Sequence, residues 1–130
     1  MQVQECRVIE MTRNMDLIRE LLLKIEANPL VNGRQGVTLE PSDIESQCSS
    51  EEMDYHVELL MDGGFLKGKM GPVHPVVSML TWKGHEFVDD IKDQGVWHST
   101  KDRIKGLPGV ALDVIAELAK AEVRKRLGLL

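Results

Sequence analysis

Aromatic residues are scarce: the 130-residue chain holds two Trp, one Tyr and two Phe. A core built from it must therefore be filled by Leu, Val, Ile and Met. Cysteine is scarcer still, and Cys6 and Cys48 are too few for a disulfide framework and lack metal-ligand spacing. No run approaches the ~20 apolar residues of a membrane span. The opening M-Q-V-Q-E-C-R-V-I-E has no apolar stretch of a secretory signal. These absences lead us to expect a soluble protein of a reducing cytoplasm. Internal repeats, low-complexity tracts and linkers are also missing, so residues 1–130 read as one domain, long enough to bury ~65% of its unfolded surface.

The most telling absence is of positive charge. Residues 1–34 carry five acids and five bases, and residues 67–130 carry eight acids and eleven bases. Between them, residues 35–66 carry eight acids (Glu40, Asp43, Glu45, Glu51, Glu52, Asp54, Glu58 and Asp62) and no Lys or Arg. The net charge of −5 is thus unevenly spread.

Inside this acidic block lies S-S-E-E-M-D-Y-H-V-E-L-L-M-D-G-G-F-L, residues 49–66. Ser50 reads as a helix cap, with Glu51 and Glu52 in the first turn, where the helix dipole favours acids. Met53, His56, Val57 and Leu60 recur at helical spacing as one apolar stripe. Gly63-Gly64 supplies a left-handed stop, and Phe65-Leu66 opens a strand. A three-turn helix, a glycine stop and an immediate strand match the way a recognition helix runs into its wing. The expected fold is α+β, a winged helix-turn-helix with a two-stranded wing and additional C-terminal helices.

The remaining segments fit around this one. Met15, Ile18, Leu21, Leu22 and Ile25 share one helical face, closed by Asn28-Pro29. Residues 1–11 alternate weakly, as an arm or edge strand would. Val37 to Leu39 suggests a minimal strand, Glu40 to Asp43 a helix start and Ile44 to Cys48 a short second helix. The wing should run from Phe65 to Met70 and return from Val76 to Leu80, with Gly71-Pro72 at its tip. Residues 13–80 form the expected core and residues 81–130 a helical extension. In that extension Thr81 caps W-K-G-H-E-F-V-D-D-I-K, and Trp97 anchors Val96 to Ile104. Pro108-Gly109 starts a last helix with a stripe of Ala111, Leu112, Ile115, Leu118, Ala119, Val123 and Leu127. That wide stripe suggests a homodimer formed through residues 110–127.

Three segments carry a resemblance. R-N-M-D-L-I-R-E-L-L-L-K-I-E at 13–26, D-Y-H-V-E-L-L-M-D-G-G-F-L at 54–66 and L-T-W-K-G-H-E-F-V-D at 80–89 resemble the family of domain of unknown function 2513. The likeness extends over roughly residues 13 to 127, and T-W-K-G-H-E-F is its most specific part. It implies a bacterial, phage or prophage protein of the cytoplasm and brings no functional residues with it. More loosely, M-D-Y-H-V-E-L-L-M-D-G-G-F-L is similar to the helix-to-wing junction of metalloregulator-type winged-helix repressors. Where such repressors present Ser, Thr, Arg or Lys to DNA, this chain has Asp54, Tyr55 and Glu58.

Those departures bear on function. A recognition helix approaches a duplex carrying one phosphate charge per ~1.7 Å. Here its outward positions are Glu51, Glu52, Asp54, Tyr55, Glu58 and Asp62, which oppose insertion. The same residues suit a basic protein surface, for example that of a host nucleic-acid-binding protein, and would steer its approach. A non-enzymatic, phage- or prophage-associated binding module is therefore the leading expectation. The alternative is a DNA-binding regulator that uses the wing bases Lys67, Lys69 and Lys83 and the C-terminal Arg124, Lys125 and Arg126. As bland readings, acids keep a protein soluble and the terminal bases favour a last helical turn.

Catalytic and metal motifs are weak. H-E-F-V-D at 85–89 outlines a zinc-protease helix, but it follows Gly84 and lacks a convincing third ligand, with His98 merely nearby. Cys48 has no basic neighbour to lower its pKa and reads as a small buried residue. His56 reads as a hydrogen-bonded, partly buried histidine. G-F-L-K-G-K-M-G has the wrong spacing for a phosphate loop. No enzyme, metal or cofactor is expected.

Overall fold

A computed structural model describes residues 13–107 and 109–129. Among these, five α-helices and one two-stranded antiparallel sheet make an α+β structure. In chain order they are α1 (Met15–Ala27), a 3-10 turn (Pro41–Asp43), α2 (Ser50–Asp62), β1 (Leu66–Met70), β2 (Pro75–Leu80), α3 (Trp82–Ile91), α4 (Gln94–Ile104) and α5 (Leu112–Arg126). Residues 1–11, read above as an arm or edge strand, lie outside the described residues, as does Cys6.

Helix α1 begins where Asn14 Oδ1 accepts the N–H of Leu17 at 3.1 Å and ends as Asn28 turns extended before Pro29. Its apolar face, Leu17, Ile18, Leu21, Leu22 and Ile25, is buried in one cluster with Val57 and Leu60 of α2, Leu80 of β2 and Phe87, Val88 and Ile91 of α3. The aromatic scarcity is met by pairing two of the five rings: Phe65 and Phe87 lie 5.3 Å apart at the centre. The strand expected at 37–39 reduces to one antiparallel bridge between Val37 and Val77.

The short helix expected at Ile44 to Cys48 does not form. The 3-10 turn closes on itself, Asp43 accepting the backbone N–H of Glu40 at 2.8 Å, and Ile44 is already extended. Beyond it, the Glu20 carboxylate of α1 accepts the backbone N–H groups of Glu45 and Ser46. Those donors are needed to continue a helix and are held instead by a neighbouring one. Burial pushes the Glu20 carboxyl up, but the bonds from Ser46 and Glu45 outweigh it and leave the group below its ordinary value.

The hairpin forms as expected, with Leu66 opposite Leu80, Met70 opposite Pro75 and a shift in register between Lys67 and Gly68. Gly64, at φ +84°, makes the left-handed turn into it, whereas Gly63 stays right-handed. Thr81 caps α3, its hydroxyl accepting the Gly84 N–H at 3.0 Å. Asp93 caps α4, and buried Trp97 donates its indole N–H to Asp16 of α1 at 2.9 Å.

Helix α5 starts at Leu112, later than Pro108-Gly109, because Gly109 is left-handed (φ +72°) and Ala111 extended. Its inward face is Ile115, Ala119 and Glu122. Of the predicted stripe, Leu118 and Val123 are half-buried, while Ala111 and Leu127 are exposed. Glu122 takes an inward place because Arg126 donates to it at 3.0 Å and Arg103 of α4 lies 3.9 Å away.

Candidate functional site

Ser49, not Ser50, caps α2: its hydroxyl accepts the Glu52 N–H at 3.0 Å, and the Glu52 carboxylate accepts the Ser49 N–H at 3.3 Å. This reciprocal pair engages Glu52 in starting the helix. Met53, His56, Val57 and Leu60 face the core, as their spacing predicts. The buried His56 ring bridges two backbones: Nδ1–H donates to the Glu52 carbonyl at 2.7 Å, and Nε2 accepts the Asn14 N–H at 2.8 Å.

The six positions read as outward separate into two sets. Glu51, Glu58 and Asp62 are exposed, and none has an ion-pair partner among the described residues. Glu52, Asp54 and Tyr55 are half-buried. Asp54 does not face solvent freely, because its carboxylate meets His74 Nδ1 at the hairpin tip, 2.7 Å away. Tyr55 packs edge-on to His56, with ring centres 5.7 Å apart.

Between α2 and the hairpin runs an open groove of about 480 Å³, lined by Tyr55, Leu59, Met61 and Met70 and rimmed by Glu58 and Asp62. Gly68 lets strand and helix approach closely there, since a Cβ at that position would sit 2.9 Å from Met61 Sδ and collide with the Val76 carbonyl. Strand alternation puts Gly68 and Met70 on the Leu66 side, and Lys67 and Lys69 on the other. Reading the sequence for charge alone missed this groove; the parity of Leu66, Gly68 and Met70 was the signal that marked it.

The basic residues read above as nucleic-acid contacts sit on three elements, β1, α3 and α5. Lys67 and Lys69 are exposed on β1. Lys83 is engaged: it pairs with Asp113 at 2.5 Å, donates to the Gly63 carbonyl at 3.0 Å and sits 4.5 Å over the Phe65 ring. Arg126 holds Glu122 and faces Asp93 at 3.8 Å, while Arg124 and Lys125 remain exposed in the last turn of α5.

The H-E-F-V-D residues disperse among neighbours. Glu86 lies 3.5 Å from Lys120, Asp89 lies 3.5 Å from Lys92, and His85 is exposed. His98 pairs instead with Asp102 at 3.4 Å. Among the described residues no three His, Cys, Asp or Glu side chains are grouped to hold a metal. Burial pushes the half-buried Cys48 thiol up, and the charges of Glu52 and Glu20 add to it, leaving a poor nucleophile. A second cleft, between α3 and α5, mixes the carboxylates of Glu86, Asp90, Asp113 and Glu117 with Lys83 and Lys120. Burial raises the Asp90 carboxyl there.

The groove, the hairpin and α3 with its Thr81 cap all lie within residues 12–111, which match the sequence profile of a family described as hypothetical protein DUF2513. The chain belongs to the DUF2513 family. Helix α5 lies beyond the matched residues. An uncharacterized protein of Haemophilus influenzae is 33% identical over 122 residues, covering 90% of this chain and 99% of that protein. No solved structure matches the chain. Among the described residues, no helix is long and apolar enough to cross a membrane.

Proposed function

We propose that this DUF2513 protein is a non-enzymatic binding module of the bacterial or phage cytoplasm, a winged-helix variant whose α2 surface engages a basic partner protein. The observation that carries this is the unpaired set Glu51, Glu58 and Asp62 on α2, within a stretch lacking Lys and Arg from residue 35 to 66. Three such carboxylates repel a phosphate backbone and attract a basic protein. In a helix-turn-helix the helix before the recognition helix crosses the DNA backbone. Here a single 3-10 turn, Pro41–Asp43, occupies that place.

The test is charge reversal. Glu51→Lys, Glu58→Lys and Asp62→Lys together should leave the fold intact by circular dichroism and abolish capture of a basic partner from host lysate. Retained capture would remove α2 from the interface.

A DNA-binding regulator is the second reading, favoured by the exposed Lys67 and Lys69 of β1. It requires a gel shift on an operator near the protein's own gene, weakened by Lys67→Ala and Lys69→Ala and steeply by salt. A homodimer through residues 110–127 draws support from Leu127, which is 68% exposed at the C-cap of α5. Light scattering at 14.6 kDa across micromolar concentrations would exclude it.

A further inference from the structure

We infer that the groove between α2 and β1 seats a bulky apolar side chain from a basic, amphipathic peptide segment of the partner protein, with Glu58 and Asp62 holding Lys or Arg on either side of it. This rests on the proposed role of α2 and adds what acidic charge alone does not explain, an apolar seat.

The groove offers Tyr55, Leu59, Met61 and Met70 as floor and walls, in a volume that suits one or two side chains. Met70, on the groove wall, is 56% exposed at the end of β1. Apolar side chains clustered beside an open groove lose water-exposed surface when a partner covers them. Thioethers reshape around different occupants, so Met61 and Met70 suit a peptide side chain of no single shape.

Charge complementarity selects the occupant. Glu58 and Asp62 stand one helical turn apart on the rim and have no ion-pair partner among the described residues. An anionic membrane surface or a nucleic acid would meet these carboxylates as like charges. A segment with Lys or Arg flanking one apolar residue satisfies rim and floor together. The two bases of β1, Lys67 and Lys69, lie on its opposite face by alternation.

The experiment is selection of a random 12-residue peptide display library on the intact protein, followed by fluorescence anisotropy with the enriched peptides. Enriched peptides should combine Lys or Arg with a bulky apolar residue. Changing that residue to Ser, or testing the variants Met70→Asp or Glu58→Lys/Asp62→Lys, should each weaken binding by about tenfold or more. Met70→Ser serves as the milder variant should Met70→Asp perturb the hairpin. Basic peptides without an apolar anchor, insensitive to both Met70 variants, would overturn the groove and leave the acidic surface standing. Failure to enrich any peptide, or enrichment of non-basic ones, would overturn both. A dimer by light scattering that Met70→Asp dissociates would assign the groove to a second copy and equally overturn the inference.

Discussion

His56 Nε2 accepts the backbone N–H of Asn14 at 2.8 Å, fastening the cap of α1 to the middle of α2. The same Asn14 uses its side chain to start α1, so one buried imidazole fixes where that helix begins relative to its neighbour. His56→Ala would leave a cavity and an unsatisfied N–H at once. The expected loss is ~2–4 kcal/mol in urea melts. A loss under ~0.5 kcal/mol would show that water replaces the ring without cost.

Gly84 explains why the T-W-K-G-H-E-F segment needs a glycine. It is buried at the first turn of α3, where a Cβ would collide with the Phe65 carbonyl oxygen and lie 3.1 Å from Leu80 Cδ2. The obstacle is backbone, which cannot rotate away. Gly84→Ala should therefore destabilise by ~1–3 kcal/mol despite the better helix propensity of alanine. A thermal midpoint equal to or above wild type would mean that α3 can slide on the hairpin.

Local regularities were legible where their causes are local. The stripe of α2, the hairpin around Gly71-Pro72 and the Thr81 cap depend on residues within a few positions of one another. The failures came from distant partners. Ile44 to Cys48 looks helical until Glu20 takes two of its N–H groups, and Asp54 looks outward until His74, twenty residues on, comes beside it. Glu122 breaks the apolar stripe of α5, yet lies inside because Arg126 and Arg103 meet it there. Of the candidate site, the acidic rim was readable as composition. The apolar floor was readable only on its strand side, through the parity of Gly68 and Met70, since nothing local joins Met70 to Leu59 and Met61 of a helix.

Asp16 ties α1 to α4, accepting from Trp97 Nε1 at 2.9 Å and pairing with Lys101 at 2.8 Å. The Lys101 hydrogen bond holds its carboxyl below the ordinary value against the opposing effect of burial, with Trp97 assisting. A lowered carboxyl stabilises the fold above its unfolded value, and that stability is lost as the pH falls through the folded one. The Asp16 side chain is 64% exposed, so the contribution is small, ~0.5–1 kcal/mol. Asp16→Asn should therefore melt below wild type at pH 7, with the difference closing on acidification below the carboxylate range. A gap that persists unchanged at acid pH would assign the effect to packing rather than charge.

The contact between Asp54 and His74 has a local consequence. It joins α2 to the tip of the hairpin, where Gly71 donates its N–H to the His74 carbonyl at 2.9 Å. Their side chains are 20% and 37% exposed, so the bond is partly screened and its worth is ~0.2–1 kcal/mol. The hairpin base does not depend on it, because Leu66 and Leu80 are buried in the main apolar cluster. His74→Ala should thus leave the global melt within ~1 kcal/mol of wild type while speeding hydrogen exchange at the Gly71 amide. Asp54→Ala should do the same, and the double variant should add little to either, since both remove one bond. Additive effects, or an unchanged Gly71 amide in His74→Ala, would mean that the tip holds its place without this contact.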